Sequence, residues 1–124
     1  MPHIKHLLTN IKLIFQHTFN QIDAFVRCTT DILVFVDADV ITFDHIPDGW
    51  LQDLMCGKDV TYIGRKNKFS ETGFIAYNLT NPNMKEFFKR WTEQYTQDLV
   101  FNLDNWGDAD TFDEVRSNLV KEGL

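Results

Sequence analysis

The chain has 124 residues, enough for one domain with a core but small for an α/β enzyme. Its formal charge of −6 argues against a general nucleic-acid binder, which needs basic surface to replace phosphate counterions. No apolar run approaches the ~20 residues needed to span a bilayer. No signal-peptide pattern opens the chain, because charged and polar residues interrupt its apolar ones. Cys28 and Cys56 fit no metal spacing and read as reduced, structural thiols of a cytoplasmic protein.

In chain order, Ile4, Leu7, Leu8, Ile11, Ile14, Phe15, Phe19, Ile22 and Phe25 recur mostly at intervals of three and four. This predicts one long amphipathic helix from near the start to about Cys28, packed by its apolar stripe against a sheet. His3, His6 and His17 lie along it without an acidic partner at ligand spacing and read as surface residues. Asp31 to Val40 follows, an apolar run with β-branched and aromatic residues that ends in Asp37-Ala38-Asp39. Such a run reads as a strand buried on both faces in the middle of a parallel sheet. If extended geometry persists through Ala38, Asp37 and Asp39 lie on one side, in the crevice where open α/β sheets bind ligands. Two like charges so close repel unless a cation sits between them, and a divalent metal is the candidate. The competing account is a polar strand end that caps nearby amides.

Residues 41–48 carry loop punctuation, with Pro47-Asp48-Gly49 as a turn. Trp50, Leu51 and Leu54 predict a short helix stopped by Gly57. Val60–Ile63 predicts a strand, Gly64–Ser70 a basic loop carrying Arg65, Lys66 and Lys68, and Gly73–Asn78 a further strand. Asn81 and Pro82 fit the start of a helix that buries Met84, Phe87, Phe88, Trp91 and Tyr95. A last helix over about 110–121 buries Phe112, Val115 and Leu119. Asp108 and Asp110, just before it, read on their own as helix-capping carboxylates.

Three segments taken together resemble the nucleotide-sugar glycosyltransferases of the GT-A fold, nearest to family 8 and related bacterial and phage glycosyltransferase-like proteins. They are Val34-Phe35-Val36-Asp37-Ala38-Asp39, Ser70-Glu71-Thr72-Gly73-Phe74-Ile75-Ala76-Tyr77-Asn78-Leu79 and Gly107-Asp108-Ala109-Asp110-Thr111-Phe112. The resemblance spans about residues 31–118. It implies a partial GT-A fold: a Rossmann-like α/β domain with a mixed, mostly parallel sheet flanked by helices. It further implies a single glycosyltransferase-like domain over residues 1–124, truncated before the usual nucleotide-binding units. The implied reaction moves a sugar from a nucleoside-diphosphate sugar to a hydroxyl of a glycan, lipid or protein acceptor.

By the same resemblance, Asp37 and Asp39 hold Mn²⁺ or Mg²⁺ against the diphosphate, with Ala38 between them. Glu71 and Asp108 stand near the transferred sugar or the acceptor hydroxyl, and Asp110 lines the sugar pocket. Glu71 departs from the family's asparagine, and no histidine follows His45 to complete the metal shell as in family 8. Arg65, Lys66 and Lys68 are candidates to assist at the diphosphate or an anionic acceptor, against the alternative of a solvated basic loop. Gly73 allows close backbone approach to a ligand, or simply opens a strand. Trp106 is a candidate for stacking on a sugar face, or a core tryptophan.

Two rivals accompany this reading. Asp37-Ala38-Asp39-Val40 also matches part of the D-x-D-x-[TV] motif of haloacid-dehalogenase-type phosphatases, with Asp37 as nucleophile. Ile41 departs at the last position, and a long helix precedes the strand that normally comes first. The other rival is a catalytically inactive remnant that binds a sugar or a partner.

Overall fold

The computed structural model describes residues 2–65 and 70–124, with side chains described from Phe15 onward. Helix α1 (Pro2–Arg27) leads to strand β1 (Ile32–Val36), short helix α2 (Trp50–Met55) and strands β2 (Val60–Ile63) and β3 (Glu71–Asn78). Helix α3 (Asn83–Thr96), a 3-10 turn (Leu99–Asn102) and helix α4 (Asp108–Lys121) complete the chain. The spacing argument thus locates the four α-helices and three strands found among the described residues. The side chains of His3 and His6, and residues Lys66 and Lys68, lie outside the described residues.

The sheet differs from expectation. Its order is β1-β3-β2, and both pairings are antiparallel. The domain is therefore a small α+β unit with a three-stranded antiparallel sheet, not a mostly parallel Rossmann-like one. The physical reason lies in which strand holds the centre. Strand β3 pairs antiparallel with β2, which precedes it in the chain, and lies between β2 and β1. Strand β3 carries the buried positions, with Ile75, Ala76 and Tyr77 fully enclosed. Strand β1 is an edge: Ile32–Phe35 are only half-buried and Val36 is 44% exposed. An apolar run signals burial of side chains, but it does not distinguish an edge strand from a central one.

Register sets the geometry of the site. Strand β1 pairs regularly with β3 from Ile32↔Asn78 to Val36↔Phe74. Strand β2 pairs regularly only from Val60↔Tyr77 to Tyr62↔Ile75, and Ile63 then lies opposite Glu71 instead of Phe74. The first half of β3 is thus irregular against β2 while staying in step with β1, a local distortion of the kind that re-aims side chains.

The core lies between the sheet and helices α1, α3 and α4. Met84, Phe87, Phe88, Trp91 and Tyr95 of α3 are buried at the predicted phase, and they meet Ile75, Tyr77, Phe112, Val115 and Leu119. Burying a side chain such as Phe87 contributes about 1.5–3 kcal/mol relative to leaving it in water. Phe25 of α1 stacks on Phe88 at 4.2 Å, and Phe15 meets Tyr95 edge-on at 4.7 Å. Two polar residues of α1, Thr18 and Gln21, are also buried, each with a partner. Thr18 Oγ1 is 3.0 Å from Tyr95 Oη, and Tyr77 Oη donates to Gln21 Oε1 at 2.6 Å.

The helix ends follow local chemistry. Asn81 caps α3 as expected, its Oδ1 accepting the Asn83 N–H at 2.8 Å, and Pro82 supplies φ −61°. Gly57 has φ +68°, a left-handed conformation that closes α2. The last helix begins at Asp108, two residues earlier than predicted, because Gly107 is extended and serves as its N-cap.

Candidate functional site

The site is assembled where β1 ends beside β3. The Asp37 N–H donates to the Gly73 carbonyl at 3.0 Å, extending the β1–β3 ladder by one bond. The chain then turns, with the Val40 N–H donating to the Asp37 carbonyl at 3.1 Å. Extended geometry therefore does not persist through Ala38. Alternation along a strand cannot put Asp37 and Asp39 on one side; Asp37 is half-buried, while Ala38 and Asp39 are exposed on the turn.

What faces Asp37 comes instead from β3. The Gly73 N–H donates to Glu71 Oε1 at 3.0 Å. A Cβ placed on Gly73 would meet Glu71 Oε1 at 3.1 Å and Asp37 Oδ2 at 3.2 Å. The bare Gly73 backbone thus leaves a space flanked by two carboxylate oxygens from different strands. Its glycine is explained by this close approach, since a methyl group would press on both. Next to it, buried Thr72 donates through Oγ1 to Asp108 Oδ2 at 2.9 Å, tying the first residue of α4 to the sheet.

Four carboxylates consequently share one electrostatic neighbourhood. Burial pushes the Asp37 carboxyl above its ordinary value, and Asp108, Asp39 and Glu71 add repulsion of the same sign. His17 opposes the shift, so this histidine of α1 belongs to the surroundings of Asp37. Its ring lies edge-on to Phe35, 6.5 Å between centroids. The expectation of a surface histidine holds for its exposure but misses this placement.

The second aspartate pair divides differently. Asp108 faces the sheet through Thr72, whereas Asp110 turns back on its own helix end. Burial raises the Asp110 carboxyl; hydrogen bonds from the Gly107 and Asp110 backbone N–H groups act against this, and Asp108 and Asp113 repel it. Asp110 is the third residue of α4, the position from which a side chain reaches back to the N-cap N–H. Its Oδ1 is buried without a hydrogen-bond partner. Trp106 packs half-buried against the core and Phe101, with Nε1 donating to the Leu103 carbonyl at 3.2 Å. Arg65 is exposed just beyond β2. Asp113 accepts from both the backbone N–H and the hydroxyl of Ser70, at 2.8 and 2.6 Å, which anchors the start of β3 to α4.

Thr72 and His17 are the neighbours that sequence reasoning did not single out. Thr72 sits inside the Ser70–Leu79 segment, so its place was near to hand. His17 stands four residues before Gln21, which puts the two on one helix face. That signal becomes legible only once Gln21 is known to be buried.

Among the described residues, no group of three or more His, Cys, Asp or Glu side chains is placed to hold a metal ion by itself. No family model, curated protein or solved structure matches this chain. Among the described residues no helix is long and apolar enough to cross a membrane. Cys28 and Cys56 are both free, and Cys56 is exposed at the end of α2 rather than packed in the core.

Proposed function

We propose that the Asp37–Gly73 corner receives the diphosphate of a nucleoside-diphosphate sugar together with Mn²⁺ or Mg²⁺, for transfer of the sugar to an acceptor hydroxyl. The observation that carries this reading is the convergence of Asp37, Glu71 and Asp108 from the residue after β1, from β3 and from α4. The three motif segments that resemble the glycosyltransferases are remote in sequence, and each contributes one of these carboxylates.

The donor set suits a hard cation. Asp37 Oδ2 and Glu71 Oε1 flank the space above Gly73, and Asp39 stands on the adjoining turn. A divalent ion that keeps several positions for phosphate and water needs only one or two protein carboxylates. When bound, the cation stabilises charge growing on the departing diphosphate. The chain's own groups do the rest. Asp37 binds its proton more tightly than usual, chiefly because burial disfavours its charge and further because Asp108, Asp39 and Glu71 repel it; a positive ion opposes both effects. Thr72 holds the Asp108 carboxylate toward the corner, where it orients the sugar or an acceptor hydroxyl. Glu71 is fixed by the Gly73 N–H and serves the same face. The free thiols of Cys28 and Cys56 suit a reducing, cytoplasmic setting.

The deciding experiment is a thermal-shift screen with Mn²⁺ or Mg²⁺ and uridine or guanosine diphosphate. A metal-dependent rise in melting temperature that Asp39→Asn or Asp37→Asn abolishes is the expected result. A folded chain that shows no metal-dependent shift with any nucleoside diphosphate sinks the reading. Release of inorganic phosphate from small phosphoesters, lost in Asp37→Asn, would instead favour the phosphatase alternative.

A further inference from the structure

A second site lies away from the acidic corner, where β2 meets the first turn of α3 and the last turns of α4. It is a cavity of about 320 Å³. Its floor is apolar: Val60, Met84, Phe87 and Leu119, of which the last three are buried. Its rim is cationic, formed by Lys58 and Arg116. The side chains of the lining carry two cations against one carboxylate, Asp59, in a chain whose net charge is −6.

The two rim cations differ: Arg116 forms an ion pair with Asp113, whereas Lys58, which is exposed, forms none among the described residues. Arg116 rests over the Tyr62 ring at 5.2 Å and approaches Asp113 Oδ1 at 3.5 Å, yet its buried Nε has no hydrogen-bond partner. Asp113 already accepts two hydrogen bonds from Ser70. Asp59, the acidic side chain of the lining, accepts from the Asn81 side-chain amide and, among the described residues, forms no ion pair with either rim cation. Helix α3 also presents its N-terminal, dipole-positive end here through Met84.

We propose that this cavity binds a small anionic amphiphile, an alkyl or aryl chain bearing a carboxylate, with its apolar part against Met84, Phe87 and Leu119. Its anionic head lies between Lys58 and Arg116. The volume is at the lower end of the range for small-molecule sites, which limits the occupant to a short chain. Charge complementarity decides the head group, because an uncharged amphiphile gains only the apolar floor.

The test is an NMR titration of the full chain with octanoate and, in parallel, octan-1-ol, following the methyl signals of Met84 and Leu119. Octanoate is expected to shift both saturably and to bind roughly 3- to 5-fold more tightly than the alcohol, the scale of one exposed ion pair. Lys58→Glu is expected to remove that preference while leaving octanol binding unchanged. Val120→Trp, at a lining position 62% exposed and so tolerant of a larger side chain, is expected to weaken both ligands by narrowing the mouth. Unshifted methyls with octanoate overturn the proposal. So do equal affinities for acid and alcohol, or undiminished binding by a folded Val120→Trp chain. None of these outcomes depends on the acidic corner, so the two sites stand or fall separately.

Discussion

Thr72 Oγ1 donates to Asp108 Oδ2 at 2.9 Å, and through this bond the start of α4 is fastened to β3 beside Asp37 and Glu71. The bond is partly shielded from water, and its acceptor is a carboxylate. Thr72→Val keeps the shape and removes the donor. A loss of about 1.5–3 kcal/mol in folding stability is expected, the range for hydrogen bonds to charged groups. Urea unfolding at neutral pH measures it, and an unchanged midpoint would show that Asp108 finds another donor.

Asp37 gives the site a pH signature. A carboxyl whose pKa is raised in the folded chain holds its proton more tightly there than in the unfolded one. Folding is then favoured at low pH and loses stability as pH rises from 3.8, the ordinary value, through the raised one. Asp37→Asn removes this loss, so the variant is expected to melt higher than the parent chain at pH 7. The gain should vanish below about pH 3.8, where Asp37 is protonated in both states. The same substitution is expected to abolish the metal-dependent thermal shift. A variant both more stable and unable to respond to metal separates ligand binding from folding.

Gly73 tests the geometry rather than the charge. Gly73→Ala introduces a methyl group 3.1 Å from Glu71 Oε1 and 3.2 Å from Asp37 Oδ2, contacts that oblige one carboxylate to move. Both belong to side chains that can swing, so the fold should survive with a loss of about 1 kcal/mol or less. The affinity for Mn²⁺ with uridine diphosphate should fall at least tenfold, a penalty of ~1.4 kcal/mol or more. Calorimetric titration of the variant reads this directly, and full retention of affinity would place the ion elsewhere.

Thr111 is the buried joint of the helical layer. Its Oγ1 accepts from Trp91 Nε1 at 2.8 Å and lies 2.9 Å from Tyr95 Oη, which in turn lies 3.0 Å from Thr18 Oγ1. One hydroxyl thus joins α4 to α3 and, through Tyr95, to α1. Thr111→Val leaves the buried Trp91 N–H without its acceptor and Tyr95 short of a partner. A destabilisation of about 1–3 kcal/mol is expected, chiefly from the orphaned Trp91 N–H, because Tyr95 keeps Thr18 as a partner. Trp91→Phe in the Thr111→Val background should cost less than the sum of the separate effects, because the donor leaves with its acceptor. Denaturant midpoints for the four chains of this cycle decide it.

Local physics made much of this molecule legible. The spacing of Met84, Phe87, Phe88, Trp91 and Tyr95 identifies one face of a helix, and all five are buried. Gly57 and Asn81 mark helix ends because their chemistry is confined to a few neighbouring residues. Strand adjacency is not of that kind. Nothing within Ile32–Val36 distinguishes an edge from a centre, since the difference rests on where Gly73–Asn78 folds back. The expected parallel sheet failed at that non-local step. The site was half legible for a related reason. Asp37, Glu71, Gly73 and Asp108 were all candidates, but their grouping follows from the antiparallel β1–β3 register and not from the spacing of Asp37 and Asp39. Buried Thr18 and Gln21 escaped because an apolar stripe is read by its hydrocarbons, whereas these two are held by tyrosine hydroxyls.

The strand order also has a kinetic consequence. Strands β2 and β3 are close in the chain, separated by residues 64–70, whereas a far longer stretch separates β1 from the same β3. Loop-closure entropy therefore favours the β2–β3 hairpin as the early nucleus, with β1 docking after the barrier. On that order Asp37 would arrive beside Glu71 late, and repulsion between them would accelerate unfolding more than it slows folding. A cation bound at the corner would accordingly act as a brake on undocking, prolonging the lifetime of the folded chain while leaving its rate of formation almost untouched.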